Sequence, residues 1–126
     1  GLPGIPIAIA LPWLQVTLVD SDSRKAAFLG ECRRRLQLPN LSVINCRLQN
    51  LTTPFNAYSC RALERFTQLL PELSRATASG SLLLLFLSCQ DAHNTLSSNH
   101  FAGYTGSIHP IPFSFDRSVL VFRRFT

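Results

Sequence analysis

The sequence predicts a single α/β domain in which helices cover both faces of an open sheet. Strand-like and helix-like segments alternate along the 126 residues, which indicates βαβ units. The longest apolar run, Leu82 to Leu87, is apolar at every position, as a central strand buried on both faces must be. With 46% hydrophobic and 15% charged residues, the chain has material for a sizeable core, and disorder is excluded. We therefore expect residues 1–126 to form one domain.

The elements follow from hydrophobic periodicity and from the positions of proline and glycine. Predicted strands lie over residues 15–19, 41–46, 55–60, 81–88 and 118–124. Predicted helices lie over residues 7–11, 23–38 and 62–76, and a weakly helical polar stretch covers 90–101. Pro71 is expected to kink or divide the third helix, and the segment from Gly103 to Pro112 is expected to be loop or edge strand. A helix over 82–87 stays open as the alternative, because so short a run is ambiguous.

Charge and cysteine content narrow the function classes. The formal charge is +5, from eleven Arg and one Lys against seven acids, which makes RNA a plausible partner but is also common among ordinary proteins. The four cysteines form no C-x-x-C pair, so they are interpreted as buried thiols in a reducing compartment, the cytoplasm, and no metal site is expected. No apolar run approaches the roughly 20 residues that span a bilayer.

Candidate ligand-binding residues lie where strands end, because open α/β sheets bind ligands beyond the carboxyl ends of their strands. Asp20 follows the first strand, where a carboxylate can accept hydrogen bonds from the ribose of a nucleoside-containing cofactor. The alternative is a helix N-terminal acid, which is the interpretation we prefer for Asp22. Residues 46–50 follow the second strand, either as an adenine-binding loop or as plain surface. Arg61 follows the third strand, either at the cleft or paired with a helix glutamate, Glu64 or Glu31.

Several segments together resemble a known family. They are Gly1-Leu2-Pro3-Gly4-Ile5-Pro6, Val16-Thr17-Leu18-Val19-Asp20, Ser59-Cys60-Arg61-Ala62 and the tail Asp116-Arg117-Ser118-Val119-Leu120. This combination is similar to the glucose-inhibited division protein B family, whose members are S-adenosylmethionine-dependent methyltransferases that modify N7 of a guanine in small-subunit (16S) ribosomal RNA. The resemblance implies a Rossmann-like class I methyltransferase fold, S-adenosyl-L-methionine as cofactor, ribosomal RNA as partner and a monomer without metal or membrane attachment.

The resemblance also implies roles for individual residues. Cofactor-binding positions would be Leu2 and Gly4 in the glycine-bearing turn, Asp20 on the ribose, Leu48 and Gln49 beside the adenine, and Arg61 near the cofactor or the target base. The family usually has an acid where Gln49 stands. It also tends to have Lys-Gly after the fifth strand, where this chain reads Phe86-Leu87-Ser88-Cys89. No residue is assigned a catalytic role, because guanine N7 has a free lone pair and needs no general base.

The start of the chain departs from the family pattern. The chain contains no Met and opens on Gly1-Leu2, so we expect it to begin inside the cofactor loop, with the first strand of the sheet and the preceding glycine-rich motif missing. A sheet without that central strand would have to close over a gap or leave two strand edges unpaired.

Two rival functions stay open. A nicotinamide dinucleotide oxidoreductase also places an acid on a ribose, but it needs a Gly-x-Gly-x-x-Gly turn, and the turn here is Gly-x-x-Gly followed by Ile and Pro. A truncated, inactive methyltransferase or RNA-binding remnant is the non-enzymatic alternative. For the methyltransferase, the arginine runs 33–35 and 123–124 are candidate contacts to RNA phosphates, with a solvated surface as the alternative for the first.

Overall fold

The computed structural model describes residues 3–61 and 66–125, with only the backbone for residues 66 and 67. Contacts divide the chain into two compact units, residues 1–51 and 52–126. The first contains α1 (Gly4–Ala10), β1 (Val16–Asp20), α2 (Ser23–Leu36), β2 (Leu41–Asn45) and a 3₁₀ helix (Leu48–Asn50). The second contains β3 (Ala57–Arg61), α3 (Phe66–Ala76), β4 (Leu82–Ser88), α4 (Cys89–Leu96), a 3₁₀ helix (Asn99–Phe101), β5 (Tyr104–Pro110) and β6 (Arg117–Arg124). The single domain stays a prediction.

Sheet topology confirms the α/β class and adds one feature. In the first unit β1 and β2 are parallel and connected through α2. In the second unit the strand order is β3-β4-β6-β5, with β3 and β4 parallel and the other two pairings antiparallel. The antiparallel hairpin of β5 and β6 was not predicted. Among the described residues β1 pairs only with β2 and β3 only with β4, so each has one unpaired edge there.

Most predicted elements are present within a few residues of their expected bounds. The helix over 82–87 is wrong, since this run is β4, between β3 and β6. One face of β4 is fully buried at Leu83, Leu85 and Leu87, whereas the residues between them are half-buried. Pro71 does not divide the third helix, which runs unbroken through it in the described residues.

The core of the second unit is built on one face of β4 and β6. Leu83 pairs in register with Phe122, and Leu85 with Leu120, so their side chains lie on the same face; all four are at most 1% exposed. The ring of Phe101 stacks on that of Phe122 with centroids 4.3 Å apart. Gly106 in β5 has no room for a side chain, because an added Cβ would lie 2.6 Å from Cε1 of Phe122.

Asn40, which is 5% exposed, joins the elements of the first unit. Its Nδ2 donates to the backbone oxygens of Ala8 at 3.0 Å and Leu14 at 2.9 Å. Its own backbone oxygen accepts from Val16 N at 2.8 Å. One residue therefore fixes the end of α1, the turn after it and the start of the β1–β2 pairing.

We expect Gly106→Ala to lower the free energy of unfolding by about 1–3 kcal/mol, because the added methyl group overpacks the Phe122 ring. The control is Gly30→Ala in α2, where nothing lies within 4 Å of the added Cβ. Alanine favours the helix interior, so this variant should gain about 0.5–1 kcal/mol. Urea titrations followed by far-ultraviolet circular dichroism measure both changes, and equal effects of the two would contradict the packing argument.

We expect Asn40→Ala to destabilise the first unit by about 2–3 kcal/mol, because buried carbonyl groups lose their donor. Urea titrations followed by far-ultraviolet circular dichroism measure the change. Asn50→Ala is the control: Asn50 is exposed, and a surface change of this kind should cost less than about 0.5 kcal/mol. A wild-type midpoint for Asn40→Ala would show that the amide contributes nothing.

Candidate functional site

The carboxyl ends of β1 and β2 form the candidate site of the first unit. Asp20 and Asn45 are the last residues of the two strands and are paired in register. Nδ2 of Asn45 donates to the backbone oxygen of Asp20 at 2.9 Å, which ties the two strand ends together. The sequence analysis did not select Asn45, although a polar residue at a strand end is the same signal that selected Asp20.

The two acids that follow β1 have different roles. Asp22 is the N-cap of α2, where its Oδ1 accepts from the backbone nitrogens of Arg24 at 2.8 Å and Lys25 at 3.1 Å. The cap is therefore Asp22, as the sequence analysis preferred, and not Asp20. Oδ1 of Asp20 accepts from the backbone nitrogen of Asp22 at 2.9 Å. No donor among the described residues contacts its Oδ2, so this half-buried carboxylate keeps an acceptor for a ligand.

The loop after β2 lies at the same edge of the sheet. It forms the 3₁₀ helix Leu48–Asn50, closed by the bond from Leu51 N to the Leu48 carbonyl at 3.1 Å. Leu48 is half-buried and Gln49 is exposed. The loop begins directly after Asn45, the register partner of Asp20, and carries one apolar and one amide side chain at this end of the sheet.

Gly4 brings the start of α1 close to β1. It is the first residue of the helix and is buried, and a Cβ there would lie 2.2 Å from Cδ2 of Leu18. Leu18 is the middle residue of β1, so Gly4 packs on the centre of the strand and not at its carboxyl end. The structure thus brings Asp20, Leu48 and Gln49 to one edge of the first unit, and Gly4 lies further along β1. Leu2, the remaining predicted residue there, lies outside the described residues.

Arg61 belongs to the second unit. It is the last residue of β3, is exposed, and pairs with Phe86 of β4. Of the two glutamates considered as partners, Glu31 is bound by Arg34 and Arg35 instead, and Glu64 lies outside the described residues. Arg61 therefore stands at the carboxyl end of its strand, as predicted.

The arginine run in α2 is mostly engaged with its own unit. Arg34 and Arg35 both bind the Glu31 carboxylate, at 2.5 and 2.9 Å, and these contacts lower the pKa of Glu31. Nε of Arg33 donates to the backbone oxygen of Leu41. The run thus forms a partly neutralised, exposed surface, which agrees with the solvated alternative.

The second arginine run, residues 123–124, contacts the C-terminal end of α3. Nη1 of Arg124 donates to the backbone oxygens of Ser74 and Thr77 at the end of α3, and its guanidinium lies 5.8 Å from the Tyr104 ring centroid. Arg123 is exposed, and its Nη1 donates to the Gly80 carbonyl at 3.3 Å. Arg124 therefore supports the fold of the second unit.

Cysteine and histidine side chains add no further site in the described part of the chain. All four cysteines are free thiols and only partly buried, and burial raises the pKa of Cys60. No group of three His, Cys, Asp or Glu side chains among the described residues is arranged to hold a metal ion. Within the same residues, no helix combines the length and apolar character needed to cross a membrane.

Comparison with known proteins identifies the family. The family model described as "rRNA small subunit methyltransferase G" (GidB) matches residues 1–103. The chain belongs to this family. Ribosomal RNA small subunit methyltransferase G of Verminephrobacter eiseniae is 44% identical over 79 residues, covering 63% of the chain and 31% of that relative. The enzyme of the same name from Xanthomonas axonopodis pv. citri is 34% identical over 113 residues, covering 88% and 53%. The chain thus spans about half or less of these relatives.

Solved structures confirm the Rossmann-like class I methyltransferase fold. A mutant of MtNAS in complex with S-adenosylmethionine has a TM-score of 0.75 at 13% identity, covering 99% of the chain and 51% of that protein. An rRNA methylase from Streptococcus thermophilus has a TM-score of 0.62 at 12% identity, covering 87% and 73%. At such identities the likeness concerns the fold alone.

Proposed function

We propose that the chain is the cofactor-binding part of an S-adenosylmethionine-dependent methyltransferase that acts on N7 of a guanine in 16S ribosomal RNA. Family membership supports the reaction class, and the relatives matched over most of the chain bear the name of a small-subunit rRNA methyltransferase. One structural observation carries the proposal. The Asp20 carboxylate stands at the end of β1 with one oxygen used by the chain turn and the other without a donor in the described residues.

The residues at this edge fit the chemical groups of the cofactor. A ribose offers two hydroxyl donors, and the Oδ2 atom of Asp20 is an acceptor at a strand end. An adenine offers a flat apolar face and polar edges, which suit Leu48 and the amide of Gln49. Gly4 lets α1 pack closely on β1, because a Cβ there would lie 2.2 Å from Cδ2 of Leu18. The family resemblance, and not the geometry, adds Leu2 and Arg61 to the proposed set of cofactor-binding residues.

The proposed reaction needs orientation more than proton transfer. The cofactor, when bound, supplies a methyl group made electrophilic by its sulfonium sulfur. Guanine N7 attacks with its own lone pair, so no residue has to remove a proton first, and effective positioning supplies the rate. The work of Asp20 and its neighbours is to hold the donor in place.

The proposal also covers the substrate, the cellular compartment and the oligomeric state. The substrate would be ribosomal RNA in the cytoplasm, which fits the reduced cysteines and the net charge of +5. We propose a monomer that needs no metal.

We expect Asp20→Asn to weaken binding of S-adenosylhomocysteine about 10- to 100-fold in titration calorimetry, because the carboxylate loses its charge-assisted bonds to the ribose. An asparagine can still accept from the Asp22 nitrogen, so the turn should persist. Arg61→Ala should also weaken binding if Arg61 lies beside the cofactor.

The matched control is Asp22→Asn, which removes the same charge two residues away and still caps α2, since asparagine is a good N-cap. Its affinity should equal that of the wild type. An equal loss of affinity in Asp20→Asn and Asp22→Asn would show that the net charge of this region, and not a contact of Asp20, controls binding. Wild-type affinity for Asp20→Asn would remove Asp20 from the site. Tighter binding of NAD than of S-adenosylhomocysteine would favour an oxidoreductase instead.

We expect methyl transfer to 16S ribosomal RNA to yield 7-methylguanosine, detected by mass spectrometry after nuclease digestion. Because N7 attack requires no general base, the single-turnover rate should be flat between about pH 6.5 and pH 9. A rate that rises tenfold per pH unit would indicate a required base and contradict this mechanism. Cofactor binding without transfer at any pH would show that this chain is an inactive cofactor-binding domain.

A further inference from the structure

The turn between β5 and β6 carries two phenylalanines that the fold does not use. This hairpin tip, residues 111–116, is closed by the bond from Ile111 N to the Arg117 carbonyl at 2.9 Å and by a tight turn from Ser114 N to the Ile111 carbonyl at 3.3 Å. The relative exposures of Phe113 and Phe115 are 110% and 106%. By contrast, Phe101 and Phe122 in the core of the same unit are 5% and 1% exposed. Neither tip ring packs on the protein.

Phe113 also occupies a backbone conformation that opposes a bulky residue. Its φ is +62°, in the left-handed region, directly after Pro112. A turn with proline at its second position and a positive φ at its third normally has glycine or asparagine there. Phenylalanine at this position makes the turn less stable, and its exposed ring gains nothing in packing. A role in binding a partner, and not in folding, explains both the positive φ of Phe113 and the exposure of its ring.

The tip is held rigidly against the rest of the second unit. Oγ of Ser114 donates to the carbonyl of Ile111 at 2.8 Å, and Oδ1 of Asp116 accepts from Cys89 N at 3.3 Å. Cys89 directly follows β4, so the tip lies at the carboxyl end of β4. That is the edge at which α/β sheets bind their ligands. Because these bonds hold the backbone of the tip, the backbone loses little conformational entropy when a partner stacks on the rings.

Cationic side chains accompany the rings. Arg117 follows the tip and pairs with Ser88, and Arg61 pairs with Phe86 two residues earlier on β4. Positions 86 and 88 share a face of the strand, so both exposed guanidinium groups lie on one face, on strands about 10 Å apart. The one acid of the tip, Asp116, is already bound to Cys89 N. Exposed aromatic rings beside arginines match the unpaired nucleotides of RNA, whose bases stack and whose phosphates pair with cations.

We propose that the hairpin tip binds unpaired nucleotides of the RNA substrate, with bases stacked on Phe113 and Phe115 and a phosphate held by Arg117. The proposal rests on the proposed function, because it takes RNA as the substrate. It adds the element of the chain that selects single-stranded over paired RNA.

The test measures the affinity of the full chain for a fluorescein-labelled single-stranded oligoribonucleotide of about 12 nucleotides by anisotropy. Phe113→Gly and Phe115→Ala should each raise Kd about tenfold. Phe113→Gly should also raise Tm, since glycine accepts a positive φ without penalty. A variant that is more stable yet binds RNA less well separates a binding role from a structural one. Phe28→Ala is the control: Phe28 is 67% exposed on α2, and its loss should leave Kd unchanged.

Several outcomes would overturn the proposal. The first is a wild-type Kd in both tip variants, and the second is no binding of the oligonucleotide by the wild type. The third is an equal loss of affinity for a duplex of the same sequence, because paired bases cannot stack on the protein. Lost binding to phosphatidylglycerol vesicles with unchanged RNA affinity would make the tip a membrane contact instead. S-adenosylhomocysteine titration of the same variants should be unchanged. Failure of cofactor binding in the wild type would therefore count against the proposed function and not against the tip.

Discussion

The side-chain amide of Asn40 is the interaction on which the first unit depends. It binds carbonyl groups at the end of α1 and in the turn that follows, while its backbone oxygen starts the pairing of β1 with β2. Parallel register, once set at Val16 and Leu41, continues along both strands, and four residues later it places Asp20 beside Asn45. The geometry of the candidate cofactor site at one end of the sheet is therefore decided by a buried amide at the other.

The candidate site uses two carboxylates, those of Asp20 and Asp22, and this suits the proposed chemistry. Asp22 caps the N-terminus of α2. Asp20, two residues earlier, accepts a hydrogen bond within the turn through Oδ1, and its Oδ2 is available to a ligand. Nothing in such an arrangement moves a proton. A reaction whose nucleophile already has a free lone pair asks only for donor and acceptor to be aligned, so a rigid strand end serves it better than a pair of titratable side chains.

The local elements could be predicted from the sequence because their signals are local. The strand before Asp20, the cap at Asp22 and the apolar run of β4 depend on neighbouring residues alone. The role of Asn40 could not be predicted, since its acceptors lie 26 to 32 residues away, and a lone asparagine after proline reads as a helix breaker. The antiparallel hairpin was missed for a similar reason: Gly106 weakens the strand pattern of β5, and only the Phe122 ring against it shows why glycine is needed.

The position of β6 has a consequence for the order of folding during synthesis. Among the described strands β6 comes last, yet it lies inside the four-stranded sheet, between β4 and β5. Its Arg124 also satisfies carbonyl groups of α3 that were made about 50 residues earlier. Until residue 124 leaves the ribosome, β4 lacks one neighbour and the end of α3 lacks its donor, so the second unit has to wait for its final strand. In the first unit the pairing of β1 with β2 needs no residue beyond Asn45, so it can form while the rest is still being translated.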